Sequence, residues 1–228
     1  KEKYEIIFFN YTKKYLNREG VISLNVNYDD KNDLLLTDHY PWNKIFKREL
    51  FKGISFPNEN IRYTDHAIIP ALLAKAQRVG FLEENLYFYD FSHSNNISKR
   101  TDKRDDIYIS CDHLYKYYEK GFLSEKEIEI IFIKTFIFDK LFNIDNLKLK
   151  DIYYNNLKVE KYLNEKIPNW SSSKCLSYSF TKRYKHNIKN PYIRIFVGNI
   201  FKKSNKLSSL LLYVLYFFKC TYKKLLKL

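Results

Sequence analysis

One aspartate in this chain is placed where a carboxylate could act as a base. Asp65 follows Tyr63 and Thr64 and is the first residue of a largely apolar segment that ends at Gln77. A carboxylate at the beginning of a helix is held by the local backbone and can point outward to take a proton from a bound hydroxyl group. The same acid could instead cap the helix, because aspartate is a preferred N-cap residue. The residue type alone leaves both interpretations open.

A second group of residues lies upstream, in Trp42, Asn43 and Lys44. The face of a tryptophan can stack on a sugar ring, and a lysine can hydrogen-bond hydroxyl groups or an anion. These residues are therefore candidates for binding a substrate that carries hydroxyl groups. The alternative is that Trp42 packs in the core, as large aromatic side chains usually do, and that Lys44 is solvated.

The third group lies in a polar, basic segment downstream that is predicted to be a loop at 92–106. Cations on such a loop could neutralise the charge of a diphosphate, and the loop could close over it. His93 lies in the same segment and is a candidate metal ligand only through the family resemblance described below, because imidazole metal sites need several ligands together. A solvated loop is the alternative. The remaining histidines, interpreted as structural, are His39, His66, His113 and His186.

The elements that must position these groups change in character along the chain. The pattern up to about residue 92 predicts an α/β fold. Its predicted elements are strands at 4–11 and 21–26, a turn at 29–33, helices at 42–51 and 65–77, and an extended segment at 79–91. Thr64 or Asp65 is predicted to cap the second helix and Gly80 to end it, while Pro70 should kink or interrupt it.

The chain is predicted to be helical after about residue 106. Apolar residues recur at helical spacing over 107–120 and 124–142, and Ser124 with Glu127 matches a capping box. We therefore divide the chain into an α/β domain at 1–105 and a Lys-rich helical extension at 106–228.

Composition limits the possible partners without choosing one. The 228 residues include 40 basic and 26 acidic ones, and the net charge of +14 suits nucleic acid, anionic lipid or a diphosphate. A bias toward solvated lysines is the alternative. The five glycines form no Gly-rich phosphate loop. Cys111, Cys175 and Cys220 lie too far apart to predict a zinc site or a disulfide framework, so we expect a reducing, cytosolic compartment.

The longest apolar run, at 207–218, is too short to span a membrane. The lysines that flank it are Lys202, Lys203, Lys206, Lys219, Lys223, Lys224 and Lys227. This pattern suits a helix lying in the headgroup region of an anionic membrane, so residues 202–228 are a candidate membrane contact. The alternative is an ordinary C-terminal helix packed on the domain.

Residues 40–98 resemble the acceptor-side half of inverting family 2 glycosyltransferases with the A-type nucleotide-diphospho-sugar transferase fold. Residues 40–51 read Tyr-Pro-Trp-Asn-Lys-Ile-Phe-Lys-Arg-Glu-Leu-Phe, where the family has Pro-Trp-Asn-Lys-Leu-(Tyr/Phe)-(Lys/Arg)-Arg-x-Leu-Phe. In the order of the family there follow Phe-Pro at 56–57, Tyr-Thr-Asp at 63–65, Leu-Tyr-Phe-Tyr at 86–89 and Asn-Ile-Ser at 96–98. Thr64 stands where the family has Glu, so half of its acidic pair is missing.

The resemblance implies a partial A-type mixed sheet with a helical extension. It also implies inverting transfer of a sugar from a nucleotide-diphospho-sugar donor to a glycan or lipid-linked acceptor in cell-surface polysaccharide synthesis. Asp65 matches the catalytic base of the family. The implied acceptor contacts are Trp42, Asn43 and Lys44. The implied diphosphate contacts are Ser98, Lys99, Arg100 and Arg104.

The family holds a divalent metal, Mg or Mn, mainly through an Asp-x-Asp motif that ends its donor-binding half. No such motif precedes the first predicted strand here. We therefore expect the chain to be the C-terminal portion of a longer enzyme, inactive alone, in which the strand at 4–11 shows an apolar edge where its sheet neighbours are missing. The enzyme would be cytoplasmic, peripheral on the inner face of the membrane.

An alternative from a different class is a basic helical protein that binds nucleic acid or a membrane without catalysis. Interleaved lysines and tyrosines could contact phosphates and stack on bases. The sequence contains no nucleic-acid-binding motif, however, and most of its lysines lie in the predicted helical extension rather than on an aromatic sheet. Nucleic acid is therefore the less favoured partner.

Overall fold

The computed structural model describes residues 3–24, 26–92, 103–140, 148–175, 203–204 and 206–214. The chain divides into two compact units, Lys1–Ile128 and Glu129–Leu228. The first unit combines a sheet with helices, and the described part of the second is helical. The first unit extends past the predicted boundary at residue 105, because the helix that follows residue 105 packs against an earlier helix of the same unit.

The sheet of the first unit is mixed and contains four strands. They are β1 (Ile6–Tyr15), β2 (Arg18–Ile22), β3 (Lys44–Phe46) and β4 (Val79–Asp90). β1 is antiparallel to β2 and β3 and parallel to β4. Because β4 pairs along nearly all of β1, it occupies one edge, and β2 and β3 share the other. The predicted strands at 4–11 and 79–91 are confirmed.

The predicted apolar edge on the first strand is wrong, because β1 has neighbours on both sides. Among the described residues β4 forms one edge of the sheet, and its middle part is exposed on both faces. Its exposed large apolar side chains are Leu82, Leu86, Tyr87 and Phe88. The apolar edge therefore exists, but on a different strand.

The second strand lies earlier than predicted. β1 runs on to Tyr15, a two-residue turn follows at 16–17, and β2 overlaps the predicted segment 21–26 at only two positions. β2 is almost wholly exposed, so its sequence lacks the alternation of apolar and polar residues that marks a half-buried strand. The turn predicted at 29–33 contains a short helix, α1 (Lys31–Leu35), and Asp30 caps it by accepting a hydrogen bond from the Asn32 backbone N–H at 2.9 Å.

The predicted helix at 42–51 is wrong. Its residues form β3 and then a 3-10 turn at Arg48–Phe51. Ile45 and Phe46 pair with the beginning of β1, and the Phe9 backbone N–H donates to the Asn43 carbonyl at 3.2 Å. β-branched and aromatic residues suit such pairing, which is non-local and therefore invisible in the local pattern.

The second predicted helix is confirmed as α2 (Thr64–Lys75). It continues through Pro70 and ends before Ala76, whereas Gly80 lies within β4. Every residue from His66 to Ala74 is buried, so tertiary packing offsets the roughly 3 kcal/mol that an interior proline costs a helix. The elements packed against α2 are α1, the 3-10 turn and α3 (Asp106–Glu119).

The helices predicted after residue 106 are confirmed where the chain is described. α4 (Glu125–Phe132) begins with the predicted capping box, in which Ser124 donates from its backbone N–H and hydroxyl to Glu127 Oε2 at 2.7 and 2.8 Å. A π-helix at Ile133–Lys140 continues it, and α5 (Leu149–Lys166), a 3-10 turn at Trp170–Ser172 and helical residues 206–214 follow.

Candidate active site

The candidate base, Asp65, is the second residue of α2. Tyr63 holds the N-cap position, so neither Thr64 nor Asp65 caps the helix in the way the sequence predicted. The carboxylate is half-buried, and the Thr64 hydroxyl donates to its Oδ1 over a long 3.5 Å. Burial raises the pKa of Asp65, while the Thr64 hydrogen bond and the charge of Lys44 act to lower it. The carboxylate is thus shielded from water in part without being enclosed.

Lys44, the first residue of β3, is buried and fixed. Its Nζ donates to the carbonyl oxygens of Asp38 at 3.0 Å and Tyr40 at 2.6 Å, and to Asn43 Oδ1 at 2.7 Å. The same ammonium lies 4.6 Å from the centre of the Phe8 ring. Lys44 is only 6% exposed, so the solvated lysine of the alternative interpretation is excluded.

These contacts change how Asn43 and Lys44 can act. Asn43 is 1% exposed and offers its side-chain oxygen to Lys44. A buried ammonium whose donors point at protein oxygens supplies a fixed positive charge rather than a mobile arm. That charge also acts on Asp65, so residues from the two separate sequence segments that were singled out influence each other electrostatically.

Trp42 lies in a cluster of stacked rings. Tyr40 stacks on it with centroids 4.8 Å apart, Tyr87 at 4.8 Å and Tyr89 at 5.1 Å, all within about 20° of parallel. Tyr11 meets it edge-on at 4.6 Å. The indole is half-buried, whereas Tyr40 and Tyr87 are 39% and 38% exposed. The accessible part of this aromatic cluster is therefore formed by the two tyrosines more than by Trp42.

Asp38 belongs to the same neighbourhood and was not identified from the sequence. Its carbonyl accepts from Lys44, and the charge of its side chain acts on Tyr11. Burial, and then the Asp38 charge, raise the pKa of Tyr11 to about 12, so its hydroxyl remains neutral at physiological pH. The only available signal was its position just before the Tyr-Pro-Trp segment.

The beginning of α2 is tied to the beginning of α3. The Arg62 backbone N–H donates to Asp106 Oδ2 at 2.8 Å, and Ser110 Oγ donates to the Tyr63 carbonyl at 2.8 Å. Burial raises the pKa of Tyr63, and the nearby charges of Arg62 and Arg104 oppose that rise. The charge of Arg104 therefore reaches Tyr63, the N-cap of the helix that carries the candidate base. The other candidate diphosphate and metal residues, Ser98, Lys99, Arg100 and His93, lie outside the described residues.

The histidines that the structure describes in this unit, His39, His66 and His113, lie in structural positions. His39 and His66 are buried, and their rings meet edge to face at 5.0 Å. His66 Nδ1 lies 3.5 Å from Ser110 Oγ, and His113 Nε2 lies 3.1 Å from the Ser55 carbonyl. Within the described ranges, no group of three or more His, Cys, Asp or Glu side chains could hold a metal ion.

No protein-family model, curated protein or solved structure matches this chain. None of the helices in the described part of the chain is both long enough and apolar enough to cross a membrane.

Proposed function

We propose that this chain is the acceptor-side part of an inverting glycosyltransferase with an A-type nucleotide-diphospho-sugar transferase fold. Asp65 is the general base, and the substrates are a nucleotide-diphospho-sugar donor and a glycan or lipid-linked acceptor. The observation that carries the proposal is that Asp65 lies half-buried at the start of α2, where the charge of Lys44 acts on it. Both residues belong to sequence segments that resemble that family, and the charge of Lys44 acts on the carboxylate of Asp65.

The environment of Asp65 suits proton transfer. In the proposed step the acceptor hydroxyl gives its proton to an Asp65 oxygen while its own oxygen forms a bond to the anomeric carbon. The bond from that carbon to the diphosphate breaks, and its electron pair leaves with the diphosphate. A base works best when its pKa lies nearer to the working pH, and burial raises the pKa of Asp65 in that direction.

The neighbouring residues have supporting roles in this proposal. Lys44 is a positioning residue that fixes the segment between Asp38 and Asn43 by its three hydrogen bonds. Tyr40 and Tyr87 offer exposed ring faces on which a sugar of the acceptor can stack. The charge of Arg104 acts on Tyr63 at the start of α2, and in this proposal it stabilises negative charge that develops on the leaving diphosphate.

The resemblance also implies Mg or Mn at the donor phosphates. The described residues offer no cluster of ligands for such an ion, so the proposed step uses side chains alone. The three cysteines lie far apart in the sequence, which is compatible with a reducing compartment. We accordingly propose that the reaction takes place in the cytoplasm.

The test compares Asp65→Asn with wild type in the natural full-length protein. Wild type is incubated with a set of uridine- and guanosine-diphosphate sugars and membrane extract as acceptor, and nucleotide release and sugar incorporation are measured. We expect Asp65→Asn to lower the rate of transfer by about 10²–10⁴ while donor binding, measured by calorimetry, is retained. Asp151→Asn is the matched control, because it removes an exposed acid from the first turn of another helix.

Two results would remove the proposal. The first is normal transfer by Asp65→Asn, which would show that this carboxylate takes no proton. The second is a wild-type protein that binds and turns over none of the nucleotide sugars.

A further inference from the structure

The net charge of this protein is confined to its C-terminal quarter. Residues 1–165 contain 26 basic and 26 acidic side chains and are neutral overall. Residues 166–228 contain the other 14 basic side chains and no acidic one. The whole net charge of +14 is therefore carried by 63 residues, which makes this segment attractive to an extended anionic surface.

The described helix of this segment, at 206–214, exposes an apolar stripe. Leu207, Leu210 and Val214 follow one another at the three- and four-residue spacing that places side chains on one helix face. Leu207 is 53% exposed and Leu210 is 48% exposed, and Tyr213 beside the stripe is also exposed. Lys206, at the start of the helix, is exposed as well.

The opposite face of this helix is buried and partly polar. Ser208, Ser209 and Leu212 are almost fully buried. Asn156 of α5, itself fully buried, donates from Nδ2 to Ser209 Oγ at 2.8 Å. In a helix at a protein surface the apolar stripe usually faces the core and the hydroxyl groups face water. Here two serines face inward and two leucines face outward, so packing against the described residues of its own unit does not explain the exposed stripe.

We propose that helix 206–214 is an interfacial helix that inserts its Leu207, Leu210 and Val214 stripe into an anionic phospholipid bilayer, with the basic segment 166–228 drawing the chain to the lipid phosphates. An apolar stripe and a surplus of cations in one segment are the two features that interfacial binding requires. A nucleic acid would also attract the cations, but it would gain little from exposed leucines. The charge thus supplies attraction, and the stripe selects a bilayer over other anionic partners.

The experiment measures binding of the chain to vesicles by sedimentation, and it does not depend on catalysis. Vesicles of phosphatidylcholine alone are compared with vesicles in which roughly a third of the lipid is phosphatidylglycerol. We expect wild type to bind the anionic vesicles at least about tenfold more strongly, with the difference reduced by salt. The double variant Leu207→Ser, Leu210→Ser should weaken that binding roughly tenfold.

The matched control is Leu16→Ser with Leu86→Ser, which removes two exposed leucines from the first unit. This control should bind as wild type does. Equal binding by wild type and the Leu207, Leu210 variant would overturn the proposal, because attraction would then be purely electrostatic. A second result would also overturn the proposal. In it, a random RNA binds the protein in a salt-dependent way and displaces it from vesicles, and the variant without Leu207 and Leu210 binds that RNA as strongly as wild type does.

A second measurement covers the case in which the serine variant unfolds. Wild type already contains Trp42 and Trp170, so the emission of the tryptophan added in Leu210→Trp is taken as the difference from wild type. This emission should shift to the blue on anionic vesicles. Lipid with brominated acyl chains should quench it. Emission that neither shifts nor is quenched would place residue 210 in water and refute insertion.

Discussion

Lys44 acts on Asp65 by charge while its hydrogen-bond donors are directed at other atoms. Three protein oxygens, from Asp38, Tyr40 and Asn43, accept hydrogen bonds from its ammonium at 2.6–3.0 Å. Its charge nevertheless acts to lower the pKa of the Asp65 carboxyl, against the effect of burial. The lysine therefore links the fold of the segment 38–44 to the protonation of the candidate base.

We expect Lys44→Met to destabilise the protein by about 3 kcal/mol, because two backbone carbonyls and one amide oxygen lose their donor in a buried site. Urea unfolding followed by circular dichroism measures the change. Lys52→Met is the matched control, because Lys52 is exposed, and it should change the unfolding free energy by less than about 0.5 kcal/mol. Equal stability of the two variants would show that the three hydrogen bonds contribute little.

We expect Asp65→Asn to be more stable than wild type at neutral pH and to lose that advantage in acid. Burial raises the pKa of Asp65 above its ordinary value of 3.8, so the folded state favours the neutral carboxyl. The stability that the neutral form contributes is fully present below the pKa of the unfolded state and is lost as pH rises through the higher pKa of the folded state. Asparagine does not ionise, so the variant does not lose stability in this way, and the unfolding free energies of the two proteins diverge as pH rises.

Urea unfolding of both proteins from below pH 3.8 to neutrality tests this expectation. Asp151→Asn again controls for the removal of a carboxylate from the first turn of a helix. A wild-type protein that gains stability over Asp65→Asn as pH rises would mean that the charged carboxylate is favoured by the fold. The assignment of a raised pKa, and with it the argument for a tuned base, would then be wrong.

The sequence predicted those elements whose signals are local. β1 and β4 are rich in β-branched and aromatic residues, and Ser124 and Glu127 form their capping box within four consecutive residues. α2 was found from its apolar run despite Pro70. β3 was missed because what makes it a strand is its pairing with β1, more than thirty residues away in the chain.

The site was predicted only in part for the same reason. The place of Asp65 near the start of a helix follows from the local sequence, and that helix is confirmed, although Tyr63 is its N-cap. The burial of Lys44 depends on carbonyl groups of Asp38 and Tyr40 that converge only in the folded chain. Lysine side chains are usually exposed to solvent, so the residue type alone favoured an exposed position for Lys44. Trp42 is half-buried because Tyr87 and Tyr89, from a distant strand, stack on it.

Within the aromatic cluster we expect Trp42 to contribute to stability and Tyr40 and Tyr87 to contribute to binding. We expect Trp42→Ala to destabilise the protein by about 2 kcal/mol or more, because the indole is at the centre of the stack. Tyr40→Ala and Tyr87→Ala should each cost less than about 1 kcal/mol, since these rings are more exposed. Each should instead weaken binding of glucose or N-acetylglucosamine oligosaccharides roughly threefold to tenfold, measured by NMR titration.

Tyr154→Ala is the matched control for the tyrosine variants, because Tyr154 is exposed on α5 in the other unit. It should leave oligosaccharide binding unchanged. If the Tyr40 and Tyr87 variants bind as Tyr154→Ala does, the cluster is a structural feature of the sheet and not a platform for sugar rings.

The contact between Tyr4 and Gly80 provides the sharpest test of the sheet. Gly80 of β4 pairs with Ile7 of β1, and a Cβ added at Gly80 would come within 2.8 Å of the Tyr4 ring. We expect Gly80→Ala to cost about 1–2 kcal/mol, because the ring must move off the strand that it covers. The cost is measured by urea unfolding.

A double-mutant cycle separates this contact from a general effect of alanine in a strand. In a Tyr4→Ala background, Gly80→Ala should cost less than about 0.5 kcal/mol, because the obstructing ring is gone. Gly20→Ala in β2 is the matched control, since a Cβ there would meet nothing within 4 Å. An equal cost of Gly80→Ala in both backgrounds would show that Tyr4 does not lie over β4, and the parallel register of β1 and β4 at Ile7 and Gly80 would then need to be revised.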